Sequence, residues 1–131
     1  MVAVDRDPQV LAKEIVFIKA NLEDGSPWPL GGQLFGGIVV TNYLYRPLFP
    51  AIVESLAPGG ILIYETFMLG NERYGRPSNP DYLLRPGELL EAFSALSVIA
   101  FEQGPVERPK AAVIQRLCAR REETERTRIR P

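Results

Sequence analysis

Four apolar runs in this 131-residue chain lead into residues that can accept a hydrogen bond, donate one or take up a proton. Val2-Ala3-Val4 ends on Asp5, and Ile15-Val16-Phe17-Ile18 runs on to Asn21 and Leu22. Gly37-Ile38-Val39-Val40 ends on Thr41, Asn42 and Tyr43, and Ile61-Leu62-Ile63-Tyr64 ends on Glu65 and Thr66. Polar residues after a buried strand sit at the carboxyl edge of an open α/β sheet, which is where such sheets bind ligands. Other chemistry is excluded by composition. The chain has no His and a single cysteine, Cys118, so a zinc site, a Cys-His nucleophile and an internal disulfide are all set aside, and no metal ligand is expected. Fifteen basic residues against 16 acidic ones give a net charge of −1, which supplies no general attraction to nucleic acid or to a membrane surface.

The elements that must carry these residues follow from local rules. Consecutive rather than alternating apolar positions fit parallel strands buried on both faces. In "SLAPGGILIYETF", Pro58 cannot continue a helix and Gly59 and Gly60 permit a sharp reversal, so a helix spanning about residues 47 to 56 stops near Ala57 and a strand follows. Asp7 and Pro8 open a short helix over Gln9 to Lys13, while 26 to 32 read as a Pro-stiffened loop. Residues 68 to 85 have no period and exceed an ordinary connection, as a lid or binding element does. Pro86 and Glu88 suit the start of a helix running to about Ala95. Ser97 to Gln103 and Ala111 to Ala119 are two strands whose connection is too short for a crossover helix, hence antiparallel. Residues 1–119 form one domain and 120–131 a charged tail. No run approaches the roughly 20 apolar residues of a membrane span, and the expectation is a soluble, cytoplasmic protein.

Parallel βα units closed by an antiparallel hairpin resemble the class I S-adenosylmethionine-dependent methyltransferases, in the branch of small bacterial enzymes similar to tellurite-resistance and thiopurine methyltransferases. The resemblance covers about residues 2 to 119. It is carried by "FGGIVVTNYLYRPLFPAIVESLAPGGILIYETF", similar to the family's fourth strand, helix and fifth strand, and by "ETFMLGNERYGRPSNPDYLLRPGELLEAF", similar to its lid loop and following helix. It implies an α/β, Rossmann-like, mostly parallel sheet with the last strand inserted antiparallel beside the fifth. It also implies S-adenosylmethionine as cofactor and a small molecule as methyl acceptor. Asp5 matches the family's ribose-binding acid, the competing role being a helix cap that Asp7 fills better. Asn21 and Leu22 stand where the adenine is held, with Asn in place of the usual acid. Asn42 and Tyr43 stand beside the methionine moiety and the transferred methyl. Glu65 is the candidate base for an acceptor that must lose a proton, with Tyr43 and Tyr64 as secondary groups; its other role would be to pair with an arginine such as Arg46 or Arg73. Tyr74 and Tyr82 either shape the acceptor pocket or pack the lid, and Arg73, Arg76 and Arg85 either meet an anionic substrate or stay solvated.

The sequence departs from the family at its start. The first strand and helix, with the glycine-rich cofactor turn between them, should lie upstream of Asp5, where four residues stand. Gly31-Gly32, Gly36-Gly37 and Gly59-Gly60 each precede a strand, whereas the cofactor turn follows one and opens a helix. Because that first strand is central in the family sheet, between those matching residues 2 to 4 and 37 to 42, its loss leaves two interior edges. The strands must then re-pair, borrow a strand from another chain, or lose stability. One expectation is a methyltransferase represented here by a fragment or begun at a start codon placed too far downstream. The alternative is a truncated, non-catalytic relative that serves as an interaction or dimerisation module through the exposed edges.

Overall fold

The computed structural model describes residues 2–4, 14–18 and 32–122. They form one six-stranded sheet: β1 (Val2–Val4), β2 (Ile15–Ile18), β3 (Phe35–Thr41), β4 (Leu56–Phe67), β5 (Ser97–Val106) and β6 (Ala112–Arg120), in the spatial order β1-β2-β3-β4-β6-β5. Strands β2, β3 and β4 pair in parallel, β6 lies antiparallel between β4 and β5, and β1 pairs antiparallel with β2. Four of the six strands therefore share one direction, and the hairpin insertion of the last strand is as expected.

The left side of the sheet differs from expectation. β2 pairs directly with β3 (Ile15↔Gly37 to Ile18↔Val40), and β1 lies outside β2, reversed. Gly36 and Gly37 N–H groups both donate to the carbonyl of Glu14, at 2.8 and 3.1 Å, which fixes the register where the two strands begin.

Two helices cover one face. A 3-10 turn at Arg46–Leu48 leads into α1 (Phe49–Glu54), and α2 (Glu88–Ala92) follows the long loop. Both are shorter than the sequence predicts. α1 stops at Glu54 because the Ser55 carbonyl is taken by the Phe35 N–H at 2.8 Å and Leu56 pairs with Phe35, so the Pro-Gly-Gly turn lies inside β4 rather than between helix and strand. Gly59 adopts φ +82°, and a Cβ on Gly60 would meet two backbone carbonyl oxygens, at 2.8 Å (Ala57) and 2.9 Å (Phe35). Only glycine fits at Gly60.

The face under the helices is the core. Val16, Ile18, Ile38, Val40, Leu62, Tyr64, Leu117 and Ala119 alternate inward along four adjacent strands and pack on Phe49, Ile52, Leu89 and Phe93. Phe49, Tyr64 and Phe93 form an aromatic cluster with ring centroids 5.0 to 5.9 Å apart, in tilted and edge-on arrangements, a geometry that adds to the burial itself. The opposite face carries Ile15, Phe17 and Ile63, each more than 40% exposed. Among the described residues no element covers it, and no helix is long and apolar enough to cross a membrane.

Candidate functional site

The carboxyl ends of β3 and β4 bring the first two site residues together. Asn42 follows β3 with φ +53°, a left-handed conformation that Asn tolerates better than most residues, and its N–H donates to the Glu65 carbonyl at 2.9 Å. That bond locks the two chain ends at the same level. Both residues line a cavity of about 250 Å³ whose other walls are the loop after β4 (Asn71, Tyr74, Arg76) and the turn between β5 and β6 (Arg108, Lys110). A second, smaller cavity of about 170 Å³ also touches Asn42 and Phe67 and is closed by Pro77 and Tyr82. Asn42 stands between the two.

Glu65 does have an arginine partner, but it is neither of the two suggested by the sequence. In register across β4 and β6, Glu65 opposes Arg116, and Arg116 opposes Glu102 on β5. Arg116 Nε donates to Glu65 Oε1 at 2.8 Å and Nη1 to Glu102 Oε2 at 2.5 Å. The hydrogen bond to Glu65, then that to Glu102, raise the Arg116 pKa above its ordinary value, so the guanidinium is a fixed cation on the cavity wall. Cross-strand spacing of this kind lets the three side chains meet without bending the sheet.

Tyr43 lies in the core rather than on the cavity: its ring is 1% exposed, and its carbonyl accepts the Tyr64 hydroxyl at 2.7 Å. Burial is the main reason the Tyr64 phenol is pushed far above the usual tyrosine range. Both tyrosines therefore build the platform under Asn42. Asp5, Asn21 and Leu22 lie outside the described residues. Of the lid arginines, Arg76 lines the cavity, Arg85 pairs with Glu88 and Glu91, and Tyr74 faces the larger cavity while Tyr82 faces the smaller.

The loop of residues 68 to 85 is fastened by residues that its composition does not reveal. Asn71, 2% exposed, accepts from the Val113 N–H and donates to the Pro77 carbonyl, both at 3.0 Å. Arg46 grips Glu88 through two nitrogens, at 2.5 and 3.0 Å, and donates to the carbonyls of Asp81 and Leu83. Burial alone would disfavour the Glu88 carboxylate, yet the Arg46 hydrogen bonds, the Arg85 N–H and the charges of both arginines outweigh it and hold its pKa below the ordinary range. Gln115, fully buried on β6, accepts from the Leu89 N–H at 2.7 Å and donates to the Arg85 carbonyl at 3.0 Å. The signal for Gln115 was present in the sequence as a polar residue inside an apolar strand, which must find partners when buried. Asn71 carries no such signal, because its neighbours are themselves polar.

The sequence matches no family profile and no curated protein. The structure is similar to TehB from Haemophilus influenzae, with a TM-score of 0.56 and 14% identity, over 68% of this chain and 36% of that one. It is similar to the N-methyltransferase NodS from Bradyrhizobium japonicum (TM-score 0.53, 21% identity, 69% and 52%). A SAM-dependent methyltransferase from Methanosarcina mazei gives 0.52, 12%, 69% and 60%. The chain thus spans between 36% and 60% of the length of these structures. These likenesses establish the fold as that of a Rossmann-like class I methyltransferase sheet.

Proposed function

We propose that this chain belongs to an S-adenosylmethionine-dependent methyltransferase of the small bacterial branch, and that it transfers a methyl group to a small molecule. The observation that carries this reading is the meeting of Asn42 and Glu65, from adjacent parallel strands, at one cavity on the carboxyl edge of a sheet with this fold, with a second cavity adjoining at Asn42. The described part of the cofactor site fits in kind. Asn42 offers an exposed carboxamide, donor and acceptor in one group, where the methionine moiety with its amino and carboxylate ends would lie. Asn21 and Leu22, which follow β2 in the chain, would complete the site on the adenine, whereas β1 runs antiparallel to β2 with Val4 beside Val16, so the ribose role expected of Asp5 is not carried into this reading.

When bound, S-adenosylmethionine supplies an electrophilic methyl whose leaving group is a neutral thioether, so alignment and water exclusion provide most of the acceleration. Glu65 takes the proton of an acceptor that must lose one. Arg116 holds that carboxylate toward the cavity, and Tyr43 positions Asn42 through the buried Tyr64 contact. Photolabelling with tritiated S-adenosylmethionine, competed by S-adenosylhomocysteine, tests the reading: competed incorporation is expected, and incorporation no greater than in the denatured protein would refute it.

A second reading has its own observation. Parallel sheets are ordinarily covered on both faces, and Ile15, Phe17 and Ile63 leave one face apolar and open among the described residues. An interaction or dimerisation module would use that face, and light scattering separates the readings. A dimer that dissociates when Phe17 and Ile63 are made polar, without cofactor labelling, favours the module.

A further inference from the structure

Four cations and one carboxylate line the larger cavity: Arg76, Arg108, Lys110 and Arg116 against Glu65. Arg116 is already compensated by Glu65 and Glu102. Arg76, Arg108 and Lys110 have no acidic partner among the described residues. They come from two loops far apart in sequence, one after β4 and one between β5 and β6, and converge on a single concavity. Solvated surface arginines have no reason to converge. A concave surface with uncompensated charge of one sign concentrates ions of the other, and two guanidiniums suit planar oxyanions in particular. Phe67, Val106 and Ile114 give the wall an apolar part beside the polar Asn42 and Asn71. At about 250 Å³ the space lies just below the roughly 300 to 1,000 Å³ of drug-sized sites, which suits a metabolite.

Resting on the methyl-transfer reading, we infer that the acceptor is an amphipathic small molecule with a carboxylate or phosphate group, that group being held by Arg76, Arg108 and Lys110 with the apolar body against Phe67 and Ile114. This places the acceptor's nucleophile on the Asn42 and Glu65 side of the cavity and its anion at the mouth. It also explains why Glu65 is tied to Arg116: an untethered carboxylate in the same space would compete for the three cations.

The test uses citrate and pyrophosphate as probes, titrated by calorimetry at fixed ionic strength. Citrate or pyrophosphate binding is expected, with a loss of at least tenfold in R76Q/R108Q/K110Q and less than twofold in R73Q, since Arg73 is an exposed cation of the same loop that does not line the cavity. Tighter citrate names a carboxylate and tighter pyrophosphate a phosphate; either supports the inference. Binding of neither probe, or equal loss in R73Q, overturns it. K110Q alone, a single exposed change, keeps the test open if the triple variant does not fold, with a loss of at least twofold expected and no loss overturning it. Titration with S-adenosylhomocysteine is read separately: its failure with anion binding intact removes the methyl-transfer reading and leaves an anion site, whereas the reverse outcome removes only the inference.

Discussion

Replacing Asn71 by Ala removes one small side chain and should unfasten the wall of the cavity. The Asn71 side chain accepts the Val113 N–H, and Val113 is itself buried at the start of β6. Truncation leaves that N–H without a partner, at a cost of about 1–3 kcal/mol, and also removes the bond to the Pro77 carbonyl, worth about 1 kcal/mol because that group can reach water. The sum is about 2–4 kcal/mol. With an unfolding entropy of about 2.1 cal/mol/K per residue, a chain of 131 residues loses about 3.6 °C per kcal/mol, so Tm should fall by about 7–15 °C. Differential scanning calorimetry reads the Tm, and hydrogen exchange reads the cause, since the Val113 amide should exchange faster while the amides of β3 do not. A fall below about 3 °C, or an unchanged Val113 amide, would refute the idea that this side chain ties the loop to the sheet.

Gly60→Ala should destabilise by about 1–3 kcal/mol, because its Cβ would meet backbone oxygens at 2.8 and 2.9 Å that no side-chain rotation can relieve; an unchanged denaturation midpoint would contradict that packing. Tyr64→Phe should cost about 1–2 kcal/mol by leaving the Tyr43 carbonyl without its donor, read in urea denaturation, and a neutral result would mean that water replaces the hydroxyl. Glu88 has a folded-state pKa below its unfolded value, so its contribution is present at neutral pH and is lost as pH falls through the folded pKa. E88Q should therefore lower stability at pH 7 and show a shallower loss than the parent as pH falls through and below the ordinary carboxylate range; parallel curves would argue against the Arg46 clamp. E65Q should reduce kcat at least 100-fold with S-adenosylhomocysteine affinity unchanged if Glu65 accepts the proton, whereas an unchanged kcat would assign it to holding Arg116.

The right half of the sheet was legible in the sequence. Consecutive apolar runs, a Pro-Gly-Gly turn and a short final connection specify parallel strands followed by a hairpin, and β3 to β6 lie where those rules put them. Element ends were less legible. α1 gives up residues to β4 because Phe35 competes for the Ser55 carbonyl, a long-range contact that no local pattern encodes. The direction of β1 was not legible either, since three apolar residues carry no direction and the pairing with β2 is set by what lies beside it. At the site, strand-end position picked out Asn42 and Glu65, whose roles depend on where the chain leaves a strand. It could not pick out Arg116, which reaches Glu65 through a cross-strand register, nor separate Arg76 from Arg73 and Arg85, three arginines that differ only in which way the lid turns them. Tyr43 was drawn to the site by adjacency to Asn42, and alternation places its ring in the core.

Calorimetric titration of S-adenosylhomocysteine into the protein as isolated from its own cells tests the central claim most directly. Saturable binding in the micromolar range, weakened by replacing Asn42 with Ala, is the predicted result. Absence of binding at millimolar ligand, with the protein folded, would contradict it and leave the uncovered apolar face as the feature to explain.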